Sequence, residues 1–248
     1  MSEIPHIKCN LCGLDNPRPM FTVTQGSQLG EGFQIVQCPG CSLIFMSPRP
    51  SQEYFEERYS GNYSAGYIDK KVSKQRRAHR IVRRITRYKK NGRFLDIGCS
   101  AGFVLEAARA KGFEVYGVEI SPLAIRFARE ELQLDIKEGY LETAEFPSAY
   151  FDVITLYHVI EHVDDPVKFF QEVRRILKPD GLVEIWTPDI GHFQAKKLGP
   201  RWKNFISDHL YYFDIKTLAK MLEKTGLMVY KNQFTFKDGL QVYAKRKN

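Results

Sequence analysis

Two pairs of cysteines, Cys9-Asn10-Leu11-Cys12 and Cys38-Pro39-Gly40-Cys41, stand 25 residues apart. Paired C-x2-C knuckles offer four thiolates, the number that closes a tetrahedral site, which is the structural form of zinc binding. Gly13 and Gly40 let the backbone turn tightly around an ion. Two disulfides or four free thiols are the alternatives, and the paired spacing favours zinc. A second group is Tyr157-His158-Val159-Ile160-Glu161-His162, with His209 further on. Imidazoles exchange protons near neutral pH and bind metals, so His158, Glu161, His162 and His209 form a candidate acid–base or ligand set. The third is Asp96-Ile97-Gly98-Cys99-Ser100-Ala101-Gly102, an acid ahead of a loop of small residues. A carboxylate there repels phosphate and welcomes a cation.

The elements around the third group give it a place. The apolar run from Phe94 ends in Asp96, and Phe103-Val104-Leu105-Glu106-Ala107-Ala108 continues as a helix. Strand, tight loop and helix open a nucleotide-binding α/β unit. The loop departs from G-x-G-x-x-G, because position 100 is Ser and the last glycine comes early. Phe113 to Val118 reads as a second strand, ending in Glu119. An acid there, roughly 20 residues past the glycine loop, is placed to accept both hydroxyls of a ribose. A ligand with an adenosine half and a cationic amino-acid half suits both acids, and S-adenosylmethionine is such a ligand.

Through Asp96, Gly98, Gly102, Glu119 and the block from Tyr157 to His162, the chain resembles the class I S-adenosylmethionine-dependent methyltransferases. The resemblance runs over about residues 75 to 245 and is specific as a set of motifs. It implies a Rossmann-like α/β fold: a seven-stranded, mostly parallel sheet with a terminal antiparallel hairpin, here preceded by a zinc ribbon. It assigns Asp96, Gly98, Cys99, Ser100 and Gly102 to the cofactor, with Glu119 and Ile120, Tyr140 and Leu141, and Tyr157. Related enzymes commonly hold the adenine amino group with an acid where this chain has Tyr140, so that contact passes to the backbone or to Glu142. Cys99 reads as a small loop residue and not as a nucleophile. If the acceptor is a hydroxyl, a base must take its proton. His158, just past the fourth strand, is the preferred candidate, ahead of Glu161, His162 and His209. In similar enzymes a Glu-His pair at this place often tethers loops. Some O-methyltransferases, including those of ubiquinone biosynthesis and of small RNA ends, bind a divalent cation through Glu-x-x-Glu-His. Here His158 replaces the first Glu, which leaves Glu161, His162 and His209 as an altered ligand set.

The 248 residues are 43% apolar and 27% charged, enough for one sizeable core and a small appendage. The expected division is a ribbon over 1–48, an aromatic segment and basic helix over 49–92, and the methyltransferase domain over 93–248. No apolar run approaches the ~20 residues that span a bilayer. The start, Met1 to His6, lacks the blocks of a signal peptide, so a cytoplasmic protein is expected. Residues 70 to 90 hold eleven Lys and Arg and no acid, +11 against a total of +8, which leaves −3 for the rest. Ala78, Ile81, Val82 and Ile85 give that run one apolar helical face. Tyr54, Phe55, Tyr59, Tyr63 and Tyr67 precede it as a lid or as one face of a packed helix. Lys178 to Gly181 reads as a turn before a fifth strand, Leu182 to Trp186. Residues 188 to 213 read as a long loop able to shape an acceptor pocket, and Asp238-Gly239 marks a closing hairpin.

Three functions follow. The first is methyl transfer to a small-molecule, nucleotide-sugar or saccharide acceptor, anionic to suit the basic helix. The second is an RNA methyltransferase in which ribbon and basic helix grip phosphates. The third is a non-catalytic cofactor-binding protein, which the intact Asp96, Gly98, Gly102 and Glu119 argue against.

Overall fold

The computed structural model describes residues 7–21, 33–50, 54–55, 65–233, 235 and 238–247. Tyr59, Tyr63 and Lys237 lie outside them. Seven strands form the main sheet in the order β10-β11-β8-β7-β4-β5-β6. They are β4 (Gly92–Ile97), β5 (Phe113–Glu119), β6 (Ile136–Glu138), β7 (Phe151–Tyr157), β8 (Leu177–Pro188), β10 (Leu227–Gln233) and β11 (Gly239–Arg246). The pairings from β6 to β8 are parallel, while β11 runs antiparallel to both β8 and β10. This is the Rossmann-like methyltransferase sheet with its terminal antiparallel hairpin.

Helices cover both faces, as parallel strands require. On one face lie α1 (Ala65–Ile68), α2 (Lys71–Ile85), α3 (Phe103–Arg109) and α4 (Pro122–Glu130). Ala78, Ile81, Val82 and Ile85 are buried there with Phe94, Leu105 and Val153, so the apolar face read in the basic run is the one α2 buries. The opposite face takes α5 (Pro166–Ile176) and α7 (Ile215–Lys224), whose Phe169, Val173, Leu218 and Leu222 pack on Leu95, Ile97, Leu156 and Ile185. Each such side chain contributes about 1.5–3 kcal/mol on burial. The caps hold the starts of α5 and α7. Asp165 accepts from the Val167 and Lys168 amides, and Asp214 forms a reciprocal capping box with Thr217. Ser121 occupies the N-cap of α4 but its side chain makes no capping bond.

A row of polar side chains crosses the sheet beneath α2. Asp96 pairs in register with Thr155, Thr155 with Glu184, and Glu184 with Tyr243. Glu184 is fully buried. Its Oε1 accepts from Arg84 Nη2 at 3.2 Å, Gln241 Nε2 at 2.5 Å and Tyr243 Oη at 3.2 Å. Removing one partner of such a buried pair typically costs about 3–5 kcal/mol. One of the eleven cations of the basic run is therefore spent inside the fold.

One expectation is refined and one changes. β8 begins ahead of Lys178 to Gly181, at Leu177, but those four residues loop out as a turn between the Phe151–Leu177 and Val153–Leu182 pairings. The long loop contains α6 (Phe193–Leu198), a 3-10 turn at Gly199–Arg201 and β9 (Tyr211–Tyr212). The last of these completes a second sheet, β1-β2-β3-β9, whose other strands are β1 (Arg18–Phe21), β2 (Gln34–Gln37) and β3 (Ile44–Ser47). Ile44 pairs with Tyr212 and Phe45 with Tyr211, so the cysteine module shares a sheet with the segment that follows His209.

Candidate active site and cysteine cluster

The loop after β4 is built for a close backbone approach. Gly98 and Gly102 sit at φ +66° and +79°, where side chains are rarely accommodated. A Cβ on Gly102 would lie 2.5 Å from Leu134 Cδ1, and one on Gly98 2.7 Å from Val159 Cγ2. Ser100 follows at φ +49°. Its amide donates to Glu119 Oε2 at 2.7 Å, while Oε1 of the same carboxylate accepts from the Ile120 and Ser121 amides at 2.8 Å each. Three backbone donors thus hold a nearly buried acid across the loop mouth, which leaves about one of its four lone-pair sites. Asp96 is buried and accepts from Thr155 Oγ1 at 2.5 Å. Burial, with Glu119 and Glu184 adding to it, raises its carboxyl to about 7. An arriving cation would lower it again. Cys99 is buried, and burial and these acids push its thiol up, which suits a packing residue and not a nucleophile.

Over this mouth stands Tyr67, stacked on Phe103 with ring centres 5.9 Å apart. Burial and then the charge of Asp96 raise its hydroxyl to about 12, with Arg77, Cys99 and Glu119 also in reach. Lys74 Nζ lies 3.8 Å from the Tyr67 ring centre, and the Arg77 guanidinium 5.6 Å from that of Trp186. Leu141 is buried and Tyr140 exposed. The hydroxyl of Tyr157 is buried in the field of Glu184 and Arg84, so this ring also belongs to the polar row beneath α2. Tyr67, Lys74, Arg77 and Thr155 carry no motif. The cations were legible only as positions flanking the apolar stripe of α2.

The histidine block leaves β7 at its carboxyl end, where open α/β sheets bind ligands. His158 adopts φ +57° and its amide bonds Trp186 O at 2.8 Å. That left-handed turn is costly for a side chain other than glycine and is commonest at functional sites. Its imidazole is 46% exposed, and Nδ1 lies 3.0 Å from Oε1 of the fully buried Glu161. The other oxygen, Oε2, accepts from Thr187 Oγ1 at 2.9 Å. Burial alone would raise Glu161. The hydrogen bond and charge of His158, with His162 and His209 behind them, instead hold it at about 2.

His162 and His209 meet edge to face, 4.8 Å between centres. His162 Nδ1 bonds Asp208 O at 2.7 Å and His209 Nδ1 bonds Asn204 O at 2.8 Å. Bonding a carbonyl makes each Nδ1 the protonated nitrogen and leaves Nε2 its lone pair. Ligand atoms of Glu161, His162 and His209 all lie within 4.8 Å of one another. Burial and the neighbouring His162 lower His209 to about 4, so it is neutral at pH 7.

All four knuckle cysteines are reduced, and their sulfurs gather within 4.8 Å. Sγ of Cys9 lies 3.4 Å from that of Cys41, and Cys12 and Cys38 are equally close. The two turns are alike: the Gly13 amide bonds Cys9 O and the Ser42 amide bonds Cys38 O, each from a left-handed residue. Burial raises the Cys9 and Cys41 thiols. Backbone amides and Cys12 lower Cys38 to about 7 against the same tendency. Four crowded sulfurs cannot all ionise without a cation among them, so the donor set fits a metal ion. The knuckle rests on the starts and flanks of helices. Asn10 bonds Asp165 at 2.9 Å, Lys224 Nζ bonds Leu11 O at 2.6 Å and Lys220 Nζ bonds Cys41 O at 3.2 Å.

A sequence profile described as "Methyltransferase domain" matches residues 71–232, more than half of the chain. Ubiquinone biosynthesis O-methyltransferase of Nitrosomonas europaea is 33% identical over 150 residues, 54% of this chain and 63% of the relative. The enzyme of the same name from Alkalilimnicola ehrlichii is 33% identical over 97 residues, 37% of this chain and 39% of the relative. The chain thus covers under two thirds of the length of either. Among solved structures, a protein of Pyrococcus horikoshii superposes with TM-score 0.59 at 22% identity, covering 80% of this chain and all of that one. An S-adenosylmethionine-dependent methyltransferase of Methanosarcina mazei gives 0.54 at 18% identity, covering 66% and 96%. At these identities the structural likeness speaks to the fold.

The Glu161 geometry sets a pH response. The unfolded chain protonates this carboxyl near the ordinary 4.5 and the native protein only at about 2. Between those values the unfolded state binds more protons, so stability falls as pH falls. Urea unfolding between pH 5 and 2.5 is expected to show a loss of roughly 3 kcal/mol in the native sequence that Glu161→Gln lacks. Parallel pH dependence in the two proteins would refute the pairing.

Proposed function

The chain belongs to the methyltransferase-domain family, and on that premise we propose that it transfers a methyl group from S-adenosylmethionine to a hydroxyl of a small acceptor, with His158 as general base. The observation that carries this reading is the half-exposed His158 imidazole at the end of β7, backed through Nδ1 by a buried Glu161 that Thr187 fixes from behind. A carboxylate on Nδ1 leaves Nε2 as the free base and stabilises the imidazolium that forms. The named O-methyltransferases among the relatives agree with a hydroxyl acceptor.

The residues around the β4 loop fit the cofactor. Asp96 and Glu119 suit the ammonium and ribose ends, and the bare turns at Gly98 and Gly102 admit the ligand to the backbone. Lys74 and Arg77, on the rings of Tyr67 and Trp186, suit an anionic group arriving at the same mouth, whether the methionine carboxylate or a charge on the acceptor. When bound, S-adenosylmethionine supplies a methyl carbon already activated by its sulfonium. The chain's part is to place the acceptor oxygen in line with that carbon and to take its proton at His158 Nε2. Aligned placement supplies the larger share of such a rate enhancement and proton removal a further factor of about 10²–10⁴.

A second reading has its own observation. Ligand atoms of His162 and His209 gather with Glu161, and each ring is fixed by a carbonyl on Nδ1, the usual outer shell of a ligating histidine. A divalent cation held there would polarise the acceptor oxygen. It would compete with His158 for Glu161, so the two readings make opposite demands on one carboxylate. In the cysteine module we assign zinc to Cys9, Cys12, Cys38 and Cys41 in a structural role.

Tritiated S-adenosylmethionine tests the function against a dihydroxybenzoate, a hexose phosphate, a nucleotide hexose and a short RNA. We expect label on a small hydroxyl acceptor. His158→Gln should lower kcat by about 10²–10⁴ with product affinity unchanged. A normal rate in that variant rejects the base, and a rate that needs added metal and dies with His209→Ala selects the cation.

Asp96 gives a second test. Its carboxyl is half protonated near pH 7 in the free protein, and the ammonium of the ligand should ionise it. Calorimetry of S-adenosylhomocysteine binding near pH 6, in buffers of different ionisation enthalpy, should report close to one proton released, and none for Asp96→Asn. Buffer-independent heats would place the ammonium elsewhere.

Elemental analysis of protein purified without chelator should find one zinc per chain, lost in Cys38→Ser. Absence of zinc from the unaltered protein would overturn that assignment.

A further inference from the structure

We propose that Arg49, carried by the cysteine module, is a positioning residue that clamps the two segments bearing His162 and His209 against each other. The inference rests on the reading that these histidines, with His158 and Glu161, are the acceptor side of the site. Arg49 stands two residues past β3, in Ser47-Pro48-Arg49-Pro50. Its side chain is only 14% exposed. One guanidinium nitrogen, Nη1, donates to the backbone oxygen of Asp164 at 2.7 Å and also to the Asp164 carboxylate. The other, Nη2, donates to Tyr211 Oη, which in turn donates to Asp164 O at 3.1 Å. The guanidinium carbon also lies 4.9 Å from the centre of the Tyr211 ring.

The two residues it joins are the informative part. Asp164 follows His162 by two positions and Tyr211 follows His209 by two. Between them the segments already meet through backbone. The Leu210 and Tyr211 amides donate to Glu161 O at 2.7 and 3.2 Å, and His162 Nδ1 bonds Asp208 O. Those bonds set a spacing along one line, and a hydrogen-bonded line can still twist or slide. The guanidinium adds a rigid plane at one end, with donors to both segments at once. The module also grips the second segment by its backbone, through Met46 N to Leu210 O at 2.9 Å and through the β3–β9 pairing. The ring centres of His162 and His209 are therefore held at their distance by a residue that belongs to neither loop.

The charge itself is a minor part of this. Asp164 is 86% exposed, and an ion pair so wetted is worth little. The fork geometry does the holding, because a guanidinium offers several donors in one plane and an ammonium offers a point charge. Arg49→Lys is then expected to resemble Arg49→Ala more than the native chain. Cofactor residues should not notice either change, because Asp96 and Glu119 stand on β4 and β5.

The test uses the full chain and needs no acceptor. Hydrogen exchange, long-range imidazole nitrogen NMR and S-adenosylhomocysteine calorimetry are measured for the native protein, Arg49→Ala and Arg49→Lys. In both variants, amide exchange at Leu210 and Tyr211 should rise about tenfold to a hundredfold, the range for losing a hydrogen bond made by a charged group. His162 and His209 should lose their fixed Nδ1–H tautomers, while product affinity and zinc content stay at the native values. Added guanidinium should restore the imidazole spectrum of Arg49→Ala. Fixed tautomers in Arg49→Ala, a fully native Arg49→Lys, or a loss of product affinity that guanidinium does not repair would each overturn the proposal. His158→Gln run in parallel keeps the two ideas apart. A normal methylation rate there refutes the proposed base, whereas the imidazole and exchange signals still judge Arg49.

Discussion

The carboxylate of Glu161 is the point on which the candidate site turns. It is fully buried, ionised and shared. One oxygen orients His158, the other is held by Thr187 from β8, and its backbone oxygen receives the amides that follow His209. A buried charge of this kind is tolerated only when its lone pairs are satisfied and opposite charge lies near. Here His158, in the turn after β7, and Thr187 of β8 satisfy the carboxylate, while the backbone oxygen takes the Leu210 and Tyr211 amides. One residue, through its side chain and its carbonyl, therefore joins three stretches of chain in one geometry.

The side proposed for the cofactor obeys the opposite logic. Asp96 and Glu119 face the same mouth without a cation beside either carboxylate among the described contacts. Asp96 is held near the middle of its titration by burial and by like charge. Glu161 is finished and rigid, while Asp96 is unfinished until a positive ligand arrives. Fixed groups on the proposed acceptor side and a half-ionised Asp96 on the proposed cofactor side suit a reaction whose power lies in alignment. The ligand brings its own activation, and the protein supplies distances.

What could be read in the sequence follows the range of each interaction. The β4 loop, the acid of Glu119 and the knuckle turn at Gly13 are local, written within a few residues of chain, and the structure places them as loop, strand end and left-handed turn; the second knuckle takes its left-handed turn at Ser42 and not at Gly40. The His158–Glu161 contact was also within reach, since both lie in one turn. Thr187 was not, because nothing in β8 tells which residue of β7 it will face until the register is known. Nor was β9, a strand of two residues whose partner lies on β3 and whose surroundings lack periodicity. The Pro-Asp-Gly sequence after Lys178 keeps its turn chemistry and loops out between two pairings; only the start of β8 ahead of it, at Leu177, depends on the register with β7. Arg49 lies past the end of β3, outside any periodic element, and such residues reveal their contacts only in three dimensions.

The basic helix shows how a charge count can mislead about a partner. Eleven cations without an acid suggested a polyanion. Once α2 is docked, the count divides by face. Arg84 neutralises Glu184 inside the fold, and Arg77 and Lys74 lie on aromatic rings at the site mouth. Lys89 pairs with Asp180. Burial, and then the neighbouring Arg77 and Lys70, lower the pKa of Lys74, the mark of a cation placed where none of its neighbours is an acid. Lys70, Arg76, Arg80, Arg83, Arg87 and Lys90 remain exposed to solvent, and Lys71 lies over the Phe127 ring. The inward cations serve the sheet and the ligand mouth, so the run has a use within one chain before any partner is invoked. An outward stripe of cations is ordinary for a solvated helix. A long polyanion would need its phosphates matched in three dimensions, and the cations nearest the site are the ones turned away from the open surface.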